Sequence, residues 1–153
     1  MLLTAVDSSR QLSHLFAKIN MQSKPEELKL RTKRFALRIV RLYRSLPKRS
    51  LPKSTDAQVI GKQALRSGTS VAANYCAVCR ARSKPEFAAK MGIVVEEADE
   101  TVFWLELLVE AAIVSKDKLN DLLLEANELL AIFAASLRTA KNLKATINDP
   151  MIR

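Results

Sequence analysis

Apolar residues recur along this chain at helical spacing, and the breaks between them divide it into four long segments. Leu28, Phe35, Ile39, Leu42 and Leu46 lie 7, 4, 3 and 4 residues apart, which keeps them on one face of a helix running from about Pro25 to Leu46. The stretch Pro47-Lys48-Arg49-Ser50-Leu51-Pro52-Lys53 carries two prolines and reads as an extended, basic connection. A second helix is expected from Ser54 or Thr55 to about Arg82, a third from Ser83 to about Val114, and a fourth from an N-cap at Ser115 to about Ile147. Asn148-Asp149-Pro150 ends the last. The tetrapeptide Ser-Lys-Pro-Glu occurs at residues 23–26 and again at 83–86. In each copy serine can accept a free first-turn amide, proline sits where no amide bond is needed, and glutamate can reach back to the cap. Both copies are therefore read as helix starts.

The fourth segment holds Leu119, Leu122, Leu123, Ala126, Leu130, Phe133, Leu137, Ala140 and Leu143 in a broad stripe, widened by Leu129 and Ile132. Such width suits a thick core or contact with another subunit. Short connections favour antiparallel neighbours. The expectation is an all-α, antiparallel up-down four-helix bundle over residues 23–148, with an N-terminal extension over 1–22 and a C-terminal tail over 149–153. In the extension Leu12, Leu15, Phe16 and Ile19 share a face, so a short extra helix and a mobile tail are both open readings; Met21 is an alternative translation start. Gly68 and Gly92 fall inside helices, where each costs about 1 kcal/mol against alanine, and close approach of a neighbouring helix is the expected compensation.

Composition agrees with this pattern. Glycine (3) and proline (5) are scarce and aromatics are 5% of the 153 residues, which disfavours a β fold. The chain lacks an apolar run of about 18 residues or more, and its N-terminus is a poor secretion signal, so a cytoplasmic location with no membrane partner is expected.

Charge sharpens the functional question. The net charge of +9 is polarised: residues 24–53 hold 11 basic and two acidic residues, while residues 91–115 hold six acidic residues and no basic ones. Arg31, Arg34, Arg38 and Arg41 are spaced 3, 4 and 3 apart and form a stripe beside the apolar face, which Arg44, Lys48 and Arg49 extend into the loop. Arginine's planar fork suits phosphate oxygens, so the ladder suits an RNA or DNA backbone, with steep salt dependence and little base specificity. The alternatives are pairing with Glu96, Glu97, Asp99, Glu100, Glu106 and Glu110 of the acidic helix, within one chain or between subunits, and plain solvation. Phe35, Phe103, Trp104 and Phe133 are expected on core faces, leaving Tyr43 and Tyr75 as the exposed aromatics, too few for base stacking to dominate.

Catalytic chemistry is not indicated. Cys76 and Cys79 form a Cys-x-x-Cys inside the second helix rather than at a helix N-terminus after a strand, and read as small, buried or half-buried residues. A zinc site lacks further ligands. His14 is the one histidine, so a di-iron bundle site cannot be built. The three glycines are isolated and form no phosphate cradle. The expectation is a non-enzymatic protein without metal or cofactor.

The segment Leu65-Arg66-Ser67-Gly68-Thr69-Ser70-Val71-Ala72-Ala73-Asn74-Tyr75 is followed by Cys79-Arg80-Ala81-Arg82-Ser83-Lys84-Pro85-Glu86-Phe87. With Gly92-Ile93-Val94-Val95-Glu96-Glu97-Ala98-Asp99-Glu100-Thr101 and Trp104-Leu105, it resembles the four-helix bundle protein family, also called the 23S rRNA intervening-sequence protein family, over roughly residues 24–145. The resemblance implies a bundle protomer that assembles into a ring-shaped homopentamer in a bacterial host. The distantly similar accessory protein of diversity-generating retroelements implies nucleic acid, and a reverse transcriptase or another protein, as partners. Many members carry Asn-Ile-Ala-Glu-Gly where this chain has Asn74-Tyr75-Cys76-Ala77-Val78; Asn74, Arg80 and Ser83 are kept. Asn74 is expected to make a helix–helix hydrogen bond. The leading reading is a homo-oligomer that binds nucleic-acid backbone through Arg31, Arg34, Arg38, Arg41, Arg44, Lys48 and Arg49. The alternative is a scaffold whose basic face docks an acidic protein.

Overall fold

The computed structural model describes residues 4–47 and 54–147, with side chains described over 24–47 and 55–142. Four helices follow in order: α1 (Thr4–Ser45), α2 (Ser54–Val78), α3 (Lys84–Glu110) and α4 (Lys116–Ile147). The bundle is as expected: α2 packs on α1 and α3, α4 packs on α3, and a shorter seam joins α4 to α1. No described Cα of α1 comes within 8 Å of one in α3, and the two helices stand at opposite corners. The core runs between the four apolar stripes, with Phe35, Ile39, Val71, Met91, Val94, Leu105, Leu108, Leu119, Leu129 and Phe133 almost fully enclosed. Leu129 therefore belongs to the core itself. The buried hydroxyls are satisfied within their own helices: Thr32 donates to the Lys29 carbonyl (2.9 Å), Ser67 to Gln63 (3.0 Å) and Thr101 to Glu97 (2.6 Å).

The α1–α2 seam is close because α2 turns small residues toward α1. Ala57, Gly61, Ala64, Gly68 and Val71 follow one another at spacings of 4, 3, 4 and 3. A methyl group placed on Gly68 would come within 2.8 Å of Ile39 Cγ1, and one on Gly61 would meet Leu46 and the Tyr43 ring. The expected close approach thus holds at Gly68. At Gly92 it does not, because nothing lies within 4 Å of the position a methyl would take.

Helix ends depart from expectation in three places. The first Ser-Lys-Pro-Glu copy does not start a helix, since α1 begins at Thr4 and carries Pro25 inside it. A cap preference of about 1 kcal/mol yields when the preceding segment is itself helical. Glu26, instead of reaching back, pairs forward with Lys29 (3.4 Å). The second copy does start α3. Ser83 is extended (φ −149°, ψ 160°) and its hydroxyl accepts from the Glu86 amide (3.2 Å). Glu86 Oε2 accepts from the Arg82 amide (2.8 Å), one residue before the cap. That arrangement needs a turn upstream, so α2 stops at Val78, not Arg82, with Arg80 and Ala81 donating to the carbonyls of Ala77 and Val78. α3 ends at Glu110, not Val114. The amides of Ala112 and Ile113 donate to Val109 and Leu108, closing a Schellman turn around Ala112 at φ 54°.

Candidate nucleic-acid interface

α1 turns Phe35, Ile39 and Leu46 inward, which leaves its arginines on the two flanks nearest α4 and solvent. Of the seven basic residues expected to act together, the structure describes five and sets Arg31 apart from the other four. Arg31 is already engaged: Nε and Nη2 hold Glu125 of α4 in a bidentate pair (2.8 and 2.9 Å), and Nη2 also reaches Glu128 (2.5 Å). The hydrogen bond from Arg31 holds the Glu125 carboxyl below the usual carboxylate range, against the opposing effect of burial. The same carboxylate holds the Arg31 guanidinium more firmly protonated. Arg31 is thus a bolt between α1 and α4 rather than an open phosphate ligand.

Arg34, Arg41 and Arg44 are exposed and Arg38 is half-buried; none of the four makes an ion pair among the described residues. Lys48 and Arg49 lie outside the described residues. Arg38 and Arg41 meet Lys118, from the first turn of α4, across a shallow cleft of about 300 Å³ that also includes Ser45 and is floored by Leu42, Leu119 and Leu122. Lys118 was not apparent from sequence as part of the site. The signal lay in topology: with α1 and α4 adjacent and antiparallel, the end of one meets the start of the other.

The acidic helix is neutralised by a different neighbour from the one the charge pattern suggested. Arg66 of α2 pairs with Glu100, and with Glu97 at 3.6 Å; the Trp104 indole N–H also donates to Glu100 (3.1 Å). Glu96, Asp99, Glu106 and Glu110 are exposed and make no ion pair among the described residues. Two aromatic assignments are reversed. Phe103 is 54% exposed rather than in the core, with its ring edge-on to the half-buried Trp104 (4.9 Å between centroids). Tyr75 is buried against Phe133 (5.5 Å), so it is no stacking platform, and burial pushes its phenol up from the ordinary value. Tyr43 is half-buried and donates to Gln58 Oε1 (3.2 Å).

The family description "23S rRNA-intervening sequence protein" matches residues 26–135. The chain belongs to the 23S rRNA-intervening sequence protein family. A solved structure of similar fold, a protein of unknown function from the S23 ribosomal protein family of Bacteroides thetaiotaomicron, shares 31% identity. The match covers 75% of this chain and 98% of that one, with a TM-score of 0.64. A comparison with curated proteins finds no match.

Within this family member, Asn74 makes its hydrogen bond to its own helix, donating from Nδ2 to the Ser70 carbonyl (3.0 Å), instead of bridging two helices. Cys76 is half-buried in the last turn of α2, but Cys79 lies just past the helix and is exposed. Among the described residues no group of three His, Cys, Asp or Glu side chains converges as metal ligands would. No described helix is long and apolar enough to cross a membrane.

Proposed function

We propose that this protein is a non-enzymatic, cytoplasmic homo-oligomer, pentameric in form, that binds nucleic-acid backbone along the α1–α4 edge. The observation that carries the reading is the group Arg34, Arg38 and Arg41, three guanidinium groups that make no ion pair among the described residues, joined by Lys118 from α4, with Arg44 further out on the same helix and Arg38 also within the field of Glu125. From Arg34 to Arg44 the helix rises about 15 Å, the run of about four successive phosphates on one strand. The family description names an rRNA intervening sequence, and that of the solved relative a ribosomal protein family; both put RNA first among the polyanions to test.

The test is a titration of labelled RNA and DNA duplexes and single strands across salt concentrations. Four phosphate contacts per protomer give a log–log salt slope of about −3 to −4, and Arg38→Ala, Arg41→Ala or Lys118→Ala each reduce its magnitude by about 1. A flat salt response in the unaltered protein removes the proposal.

One observation favours a second reading, in which the basic face docks an acidic protein. Leu30 and Leu37 are 55% and 47% exposed among the arginines, and a surface that met phosphates alone has no use for them. A capture experiment from nuclease-treated lysate separates the two, because a protein partner survives the nuclease and a nucleic-acid bridge does not.

A further inference from the structure

The outer faces of α1 and α3 carry matching halves of one contact. On α1, exposed Leu30 and Leu37 are two turns apart and point directly away from the core. Lys33 and Arg44 lie to one side of them, Arg34 and Arg41 to the other, all exposed. On α3, exposed Phe103 stands opposite the buried row of Val94, Ala98, Thr101 and Leu105, with exposed Ile93 on the same outer surface. Glu96, Asp99, Glu106 and Glu110 surround Phe103, again all exposed and without a basic partner among the described residues.

One face is therefore apolar with a cationic border, and the other is apolar with an anionic border. They cannot meet within one chain, because α1 and α3 occupy opposite corners of the bundle. We infer that the outer face of α1 docks on the outer face of α3 of a second copy of this chain, Leu30 and Leu37 packing against Phe103 while the arginines meet the surrounding carboxylates. This rests on the homo-oligomeric part of the proposed function and assigns the surfaces that would build it.

Charge complementarity selects the occupant. Two α1 faces placed together would oppose arginine to arginine, and two α3 faces glutamate to glutamate, so neither face suits a two-fold contact with itself. Each chain carries one copy of each half, as a self-assembling subunit must. Gly92 adds an independent sign: it is a helix-interior glycine on this same surface of α3, with open space above it in its own chain. An incoming helix gives that space an occupant. A contact between two different faces is heterologous, so a docked pair still offers one free half of each kind, and growth stops only when a ring closes. α1 and α3 run the same way in an up-down bundle, so the docked helices are parallel in a ring whose axis follows the bundle.

The experiment is sedimentation velocity on the full chain and on two variants, Leu37→Glu and Phe103→Glu, with circular dichroism to confirm helix content. Both positions are exposed, so the protomer is expected to keep its fold. The unaltered chain is expected to sediment as a closed oligomer and each variant as a monomer. Mixing the two variants is the decisive step. Phe103→Glu keeps a working α1 face and Leu37→Glu a working α3 face, so the mixture forms one-to-one dimers and goes no further. As a milder probe, Glu106→Lys is expected to weaken assembly about tenfold, and Arg41→Glu mixed with it to recover association. An unaltered chain that assembles while both glutamate variants keep its full size overturns this assignment and leaves the homo-oligomer standing. Variants that dissociate but do not pair on mixing also overturn it. A monomeric unaltered chain at tens of micromolar overturns the homo-oligomeric reading itself, and this inference with it.

Discussion

Ala112 occupies a left-handed backbone conformation, φ 54°, at the residue after the α3 C-cap, where glycine is the usual occupant. A β-carbon there costs about 1 kcal/mol, partly offset by the unfolded-state entropy that alanine saves relative to glycine. Ala112→Gly is expected to raise stability by about 0.5 kcal/mol, read as a higher urea midpoint at unchanged slope. A lower midpoint would mean that the Schellman turn carries less strain than its backbone angle indicates. Arg31 makes a second residue-level case. Its bidentate pair with Glu125 is part-buried, and Arg31→Ala is expected to cost up to about 1 kcal/mol at neutral pH. Glu125 is the group that titrates: its folded carboxyl is held below its unfolded value of about 4.3. Its contribution is complete above that value and is lost as pH falls through the lower folded pKa. The stability gap between the unaltered chain and Arg31→Ala should therefore hold from pH 7 to pH 5 and narrow toward pH 3. Urea titrations at those three values check this, and a gap indifferent to pH would assign the effect to packing of the arginine stem.

At the scale of helices, the two interior glycines have opposite surroundings and so opposite expectations. Gly68→Ala gains intrinsic helix propensity of about 1 kcal/mol but drives a methyl into the branched, fully buried Ile39 side chain, and overpacking of this kind costs about 1–3 kcal/mol. It should lower the melting temperature. Gly92→Ala meets nothing in its own chain and should raise the melting temperature in the monomeric Phe103→Glu background. Equal shifts from both would refute the close α1–α2 seam. These helices also show what a sequence carries and what it withholds. The apolar stripes of α1 and α4 and the cap at Ser83 were legible, because each is set by residues a few places apart. Pro25 was misread because an identical tetrapeptide has two outcomes, depending on whether the chain arrives from a turn, as before Ser83, or from a helix. Phe103 was misplaced because α3 is apolar on more than one face, and residue type alone does not say which face is covered. The arginine row was visible as a row. That Arg31 is spent on Glu125 and that Lys118 joins Arg38 depended on which helix stands beside α1, a fact of topology.

The whole molecule sets two demands on one helix. If neighbouring copies cover Leu30 and Leu37, the centre of the outer α1 face is withdrawn from solvent, and the cations left most open to a polyanion are those toward α4, Arg38 and Lys118, with Arg34 and Arg41 at the border. Assembly then acts on binding through number rather than through new contacts. A ring presents several α1–α4 edges at fixed spacing, so that once one protomer holds a strand, the next binds at a high effective concentration. Disrupting assembly with Phe103→Glu, which touches no basic residue of that edge, separates the two contributions. The salt slope per bound protomer should remain near that of the unaltered chain, because the phosphate contacts of a single edge are intact. The overall affinity for a strand long enough to cross several edges should fall at least tenfold, while affinity for a short oligonucleotide that fits one edge should hardly change. Salt titrations on both lengths, with the unaltered chain and the variant side by side, provide the measurement. If the short oligonucleotide also loses its affinity and its salt slope, a single edge is not a complete site, and the binding surface must be composed of residues from two adjoining copies.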